Sequence, residues 1–206
     1  YFLGLATLYE IQSGINAQLN IYHNHTNRNY YFEFFGMPSN SDFTADSFHV
    51  ENQFSISSDN KQNKLLLGLD YNFQHISTDA DSVTDDEGRD IYGAYLHNTL
   101  IVIPDYWELA AGVRVSHISD ISSTFPTLEA SNTFLIPELN GKIHSSIAQG
   151  FRAPTLFESK GNMQDYNTGQ IMNVGNSNLD KEESLSWDAG YEQKLFDEKI
   201  TLDVTF

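Results

Sequence analysis

Few side chains in this sequence are spaced for covalent chemistry, and several are spaced to hold something. There is no cysteine, which removes disulfides, thiolate nucleophiles and Cys-ligated zinc. No Ser-His-Asp order or paired-carboxylate motif emerges from the acids and the seven histidines, so no catalytic residue is assigned and no cofactor is expected. Arg152, within Phe151-Arg152-Ala153-Pro154, offers a planar guanidinium that can pair with a carboxylate of the protein or of an anionic ligand. The plainer reading is a strand end, where Pro154 stops pairing for want of a donor and Arg152 makes a structural ion pair; that reading is preferred. Met163, Tyr166 and Met172 follow in a polar stretch, and thioethers and aromatic rings suit a broad apolar ligand. The acidic run from Asp79 to Asp90, with Asp79, Asp81 and Asp85, concentrates oxygen ligands for a hard cation. Its spacing misses the EF-hand pattern, with Val83 at a ligand position and Asp86 at the glycine, so a solvated loop is preferred. His23 and His25, two apart, would share a face of a strand. His49 or Glu51 on the next strand could complete a metal site, although polar or interfacial histidines are the commoner case.

The 206 residues carry 28 acidic and 11 basic side chains, a net charge of −17. So few cations cannot neutralise a phosphate backbone, and no nucleic-acid partner is expected. The 14 Phe and 11 Tyr favour β structure. No apolar run is long enough for a transmembrane helix. A membrane barrel stays open, because its strands need only about ten alternating residues. No leader pattern opens the sequence, and Tyr1-Phe2-Leu3 resembles the middle of a strand, so a fragment is expected.

Alternation with a period of two recurs along the chain and predicts the elements that must position these residues. Strands are expected over residues 1–11, from Ile15 to Ile21, over 43–57 and from Lys64 to Ile76. Further strands are expected over about 89–102, around Leu109–Val115, on either side of Asn140-Gly141, over Leu185–Tyr191 and over Ile200–Phe206. The clearest is Lys64–Ile76, with Leu65, Leu67, Leu69, Tyr71 and Phe73 on one face and Gly68, Asp70, Asn72 and Gln74 on the other. Asn140-Gly141 is a two-residue hairpin signal. Residues 23–42, 77–89, 119–127 and 150–183 read as long connections, the last without a convincing period. They alternate with tight turns near 13, 60, 104, 140 and 197. An up-and-down membrane barrel sorts its loops in this way, whereas a Greek-key sandwich does not. The fold class expected is therefore all-β, an antiparallel up-and-down transmembrane β-barrel, with ten strands here, no domain boundary, and the Phe151 loop extracellular. Tyr71, Phe73, Tyr106, Trp107, Trp187 and Tyr191 fit aromatic girdles against outer-membrane lipid.

Three segments, in order, add a family resemblance: Gly150-Phe151-Arg152-Ala153-Pro154, then Asn176-Ser177-Asn178-Leu179 running on to Glu183, then Ser186-Trp187-Asp188-Ala189-Gly190-Tyr191-Glu192. They resemble the TonB-dependent receptors of Gram-negative outer membranes, in which a GFRAP-like segment, a loop, an NPNL(K/R)PE-like segment and an aromatic-rich strand recur. Ser177 stands where the family usually has proline, and Lys181-Glu182 where it has Pro-Glu. The resemblance implies a barrel of about 22 strands, with residues 1–206 a contiguous part of that one barrel domain and the N-terminal plug domain not included. It further implies active import of a scarce nutrient, a ferric siderophore or a cobalamin-like chelate, with TonB engaged through the plug. Phe151, Arg152, Ala153, Pro154, Asn176, Asn178 and Leu179 would carry the motif, the asparagines closing the return of the loop. Arg152, Met163, Tyr166 and Met172 would be the ligand contacts. In the haem-importing branch a histidine lies between the two boxes; none occurs from Gly150 to Leu179, which ranks haem below the other cargoes. Two alternatives remain. One is a small ten-stranded outer-membrane hydrolase, a protease, since the alternation ending in Phe206 also resembles a terminal barrel strand. The other is a soluble or adhesive β-sandwich binding module.

Overall fold

The computed structural model describes residues 1–34, 37–78, 86–121, 123–164, 171–173, 175–196 and 199–206. Its framework is β1 (Phe2–Gln12), β2 (Ile15–Phe34), β3 (Met37–Ser57), β4 (Asn63–Thr78), β5 (Asp86–Ile103), β6 (Trp107–Ile118), β7 (Ser123–Ile136) and β8 (Gly141–Arg152). A short helix α1 (Leu156–Lys160) and two three-residue strands, β9 (Asn162–Gln164) and β10 (Ile171–Asn173), precede β11 (Glu182–Leu195) and β12 (Ile200–Thr205). Ten strands form one sheet in the order β1-β2-β3-β4-β5-β6-β7-β8-β11-β12, while β9 and β10 pair separately. Every pair is antiparallel between neighbours, the up-and-down arrangement expected. The sheet is not closed in this chain; β1 and β12 are its edges.

Register fixes what each face presents, because side chains alternate across the pleat. One row of directly opposed residues runs Tyr9, Ala17, Phe54, Leu67, Leu96, Val113, Leu128. An adjacent row runs Leu19, Asn52, Leu69, Ala94, Val115, Pro126. This face is apolar yet uncovered: Leu69 is 66% exposed and Trp187 67%. Among the described residues only Ile118, Phe125, Pro154 and Leu156 are buried apolar side chains. A soluble sandwich would bury such a face against a second sheet; here it remains open across seven strands. Aromatic rings bound it. Tyr71 and Tyr92 (centroids 5.3 Å apart) and His117 mark one margin, and the stacked pair Trp107–Phe134 (5.6 Å) marks the other. On β6 the interval is residues 107–117, close to the roughly 9–11 residues a tilted strand needs to cross hydrocarbon.

The opposite face is polar, and glycines let large side chains lie flat on it. A Cβ at Gly68 would stand 2.1 Å from the Tyr95 ring, and one at Gly93 would stand 2.2 Å from Asp70 Oδ2 and 2.5 Å from Arg114 Nη2.

Five expectations change. Residues 23–42 are not a loop: β2 and β3 pair without interruption from Ile15↔Ile56 to Phe34↔Met37. Alternation reports an apolar face, and it stops where polar residues fill both faces from His23 to Asn29 and Tyr30-Tyr31-Phe32 then follow without a period of two, although the backbone ladder continues. The connection expected over 119–127 is shorter, since β7 already starts at Ser123, and that over 77–89 ends at Asp86. Asn140-Gly141 does not make a two-residue hairpin. A 3-10 turn over Pro137–Leu139 precedes Asn140, which is left-handed (φ 49°, ψ 41°) and donates its N–H to the Pro137 carbonyl; proline sets the helical turn and asparagine tolerates the positive φ. The connection over 150–183 contains α1 and the β9–β10 pair.

Candidate ligand vestibule

The helix α1 forms because Thr155-Leu156-Phe157-Glu158 is a capping box. Thr155 Oγ1 accepts from the Glu158 N–H (3.1 Å), and Glu158 Oε2 accepts from the Thr155 N–H (2.7 Å). Pro154, buried just before it, ends strand pairing, and the Gly161 N–H closes the helix on the Phe157 carbonyl (2.8 Å). Five residues do not make a stable helix alone, so tertiary contacts hold it. Leu156 is buried, and it lines the same cavity as Ile118 and Phe151. The Phe151 ring lies 5.0 Å from that of Phe125. The Lys181 ammonium sits 4.4 Å over the Phe125 ring, and Lys160 Nζ reaches Glu87 Oε2 of β5 at 2.6 Å.

Arg152 is the clasp. It donates to Glu182 through Nε (2.9 Å) and Nη2 (2.7 Å), and to Glu158 through Nη1 (2.9 Å) and Nη2 (3.3 Å). One guanidinium thereby ties the end of β8 to the start of β11 and to α1. The Arg152 hydrogen bonds, followed by the Thr155 backbone N–H, hold the Glu158 carboxyl down at about 2. The chain returns along α1: the Gly175 N–H donates to the Gly161 carbonyl (2.7 Å) and the Asn176 N–H to the Glu158 carbonyl (2.9 Å). Asn176 then closes a turn, its Oδ1 accepting from the Asn178 N–H (3.0 Å) and its carbonyl from the Leu179 N–H (3.2 Å).

Between α1 and the polar face of β3–β6 lies a cavity of about 900 Å³, lined among others by Gln74, Arg89, Arg114, Ile118, Phe151 and Arg152. Arg89 and Asp120, 4% and 3% exposed, pair at 2.5 Å. Arg114 Nη2 lies 2.8 Å from Asp70 Oδ1, and Arg114 Nε donates to Ser116 Oγ (3.1 Å). Deeper along the same face Glu51 accepts from Tyr95 Oη (2.8 Å) and Asn20 Nδ2 (2.9 Å), while Gln53 Nε2 donates to Tyr95 Oη (2.8 Å).

The structure brings Phe151, Arg152 and Ala153 to the cavity and places Asn176, Asn178 and Leu179 in the returning turn. Met163 on β9 and Met172 on β10 are directly paired in the backbone ladder. Tyr166 lies outside the described residues, as do Asp79, Asp81 and Asp85 of the acidic run. The suggested metal site does not assemble. His23 pairs in register with Phe48, whereas His49 pairs with Tyr22, so His49 and Glu51 sit on the opposite face of the sheet. His25 Nδ1 instead meets Asp46 Oδ1 at 2.7 Å, with His23 Nε2 at 3.5 Å. No group of three or more metal-ligating side chains occurs among the described residues. Sequence reasoning missed Asp70, Arg89, Arg114 and Asp120 as site residues. The available signal was their charge on the polar side of alternating strands, together with the Thr155-x-x-Glu158 cap.

A sheet of sequentially paired strands, apolar and ring-bounded on one side, with a polar face under a folded loop on the other, defines the wall of an outer-membrane-type β-barrel. The chain belongs to the TonB dependent receptor-like β-barrel family, whose model matches residues 1–206. Among solved structures it resembles the siderophore receptor PirA from Pseudomonas aeruginosa, with a TM-score of 0.69 at 14% identity over 99% of this chain and 44% of that one. It also resembles the copper transporter OprC, with a TM-score of 0.74 at 14% identity over 94% and 36% of the two chains. For the ferric-catecholate import receptor Fiu from K12 E. coli the TM-score is 0.74, at 8% identity over 99% and 39%. The chain thus spans less than half the length of the structures it matches. No curated protein matches it in sequence. The family and these structural neighbours are transport receptors rather than enzymes, and the hydrolase alternative draws no support from them.

Proposed function

We propose that this chain is part of the barrel wall of a TonB-dependent outer-membrane receptor that captures a metal chelate, a ferric siderophore or a cobalamin-like complex, and imports it with energy delivered by TonB through a plug domain. The observation that carries this reading is the cavity of about 900 Å³ on the polar face, roofed by the loop that Arg152 clasps to Glu158 and Glu182. Its volume lies within the roughly 300–1,000 Å³ typical of small-molecule sites. Apolar rings and amides line it, which suits a chelate with an organic shell. The apolar face meets lipid, so the polar face looks into the barrel, where cargo would rest between wall, loops and plug. Transport changes no covalent bond, and the chain needs no acid, base or nucleophile for it. Phe151 and Arg152 frame the site, and Met163, Tyr166 and Met172 are proposed as contacts from the loop.

The test is uptake of radiolabelled ferric and cobalt chelates by cells carrying or lacking the complete gene, each with and without functional TonB. Gene- and TonB-dependent accumulation of at least one chelate is the expected result. Equal accumulation in all four strains would overturn the proposal.

A further inference from the structure

Resting on the reading that the cavity takes a metal chelate, we infer that it selects chelates that are neutral or cationic overall and discriminates against polyanionic ones. Three guanidiniums line the cavity, those of Arg89, Arg114 and Arg152, and each is already matched by carboxylate. Arg89 is buried against Asp120. Arg114 pairs with Asp70, whose side chain is only 6% exposed. Arg152 is divided between Glu158 and Glu182. Three cations therefore have four acids as direct partners, and Asp46 adds a further carboxylate to the lining, so the arginines offer no surplus positive charge to an anionic ligand. The unspent hydrogen-bonding capacity points the same way: Asp70 Oδ2 and Asp120 Oδ1 are buried acceptors without a protein partner, against one such donor, Arg89 Nε.

Arg89 Nε and the part-exposed Arg114 keep N–H donors that a ligand could use, but a polyanion could claim the charge of either guanidinium only by drawing it from its carboxylate. That would strand Asp70 or Asp120 in a buried position without its countercharge, which is strongly unfavourable. A neutral or cationic chelate leaves these pairs intact. It finds amide and hydroxyl partners in Asn24, Gln74, Ser47 and Ser116 and apolar contact with Ile91 and Phe157.

The preference is read by intrinsic-fluorescence titration of the complete receptor in detergent at fixed ionic strength. The probes are three ferric chelates: a triply anionic tris-catecholate, a neutral cyclic tris-hydroxamate and a cationic linear tris-hydroxamate. The neutral or the cationic chelate should bind at least about tenfold more tightly than the anionic one. In Glu158→Gln/Glu182→Gln, Arg152 loses both countercharges while glutamine can keep the cap, and affinity for the tris-catecholate should rise several-fold. Asp70→Asn, which releases Arg114, should do the same, with circular dichroism confirming that both variants keep their sheet. A wild-type preference for the tris-catecholate, or an anionic affinity unchanged in both folded variants, overturns the inference alone. Failure of all three chelates to bind overturns the inference and the ferric-siderophore part of the cargo reading with it.

Discussion

Arg152 separates local from global effects at the level of single residues. Its four hydrogen bonds to Glu158 and Glu182 are exposed, so solvent screens them, and their role is to position the loop rather than to stabilise the barrel. Arg152→Ala should leave the strands intact while the amides of Thr155–Gly161 exchange several-fold faster; unchanged exchange there would mean that Leu156 alone docks the helix. Thr155→Ala removes half of the capping box, a loss of about 1 kcal/mol for an N-cap. It should speed exchange in the same segment, with no shift in the melting of the sheet. The Glu158 carboxyl is held at about 2, below its ordinary value of 4.5. A depressed acid stabilises the folded form above its unfolded pKa, and that contribution is lost as pH falls through the folded one. The clasp should therefore persist at pH 5 and weaken between about 4.5 and about 2. Carbon-detected NMR titration of the Glu158 carboxyl would show this directly, and a midpoint at or above the ordinary value would contradict it.

At the level of elements, the glycines of β4 and β5 decide whether the polar network can form. Gly68→Ala would place a methyl group 2.1 Å from the Tyr95 ring, pushing that ring off β4 and breaking its bonds to Glu51 and Gln53. Overpacking of this kind costs about 1–3 kcal/mol, so the melting temperature of the complete barrel should fall, and a Tyr95→Ala background should relieve most of the loss. Strand positions were legible in the sequence because an apolar face imposes a period of two. The outer parts of β2 and β3 were not, since polar residues fill both faces from His23 to Asn29 and the aromatic run Tyr30-Tyr31-Phe32 does not alternate. The turn after β7 was found by its Asn-Gly pair, but its geometry was not, because Pro137 starts a helical turn before Asn140 is reached.

At the level of the whole molecule, the uncovered apolar face suits the lipid of the proposed outer-membrane setting, since its rows run across many strands without a second layer. Val113, in the middle of the interval between the aromatic margins, is the sharpest probe. Val113→Arg should destabilise folding into bilayers by about 2–4 kcal/mol, the range for an arginine near the midplane on a lipid face. Ala148→Arg, on the polar face directly opposite Glu129, should be tolerated. Equal penalties at the two positions would show that the faces had been assigned wrongly.

The sequence by itself determined the ten strands of the main sheet apart from the outer parts of β2 and β3, their two faces, where the chain turns tightly and the family, because alternation, turn residues and the Phe151–Pro154 and Asn176–Leu179 segments are local and written in order along the chain. Only the tertiary structure decided which charges meet. Arg114 finds Asp70 and Arg89 finds Asp120 across other strands, Arg152 finds two acids instead of one, and His23 and His25 turn away from Glu51. These pairings follow from inter-strand register and from the folding of a loop onto the sheet. A shift of one residue would reverse every one of the faces involved, and no short window of sequence contains that information.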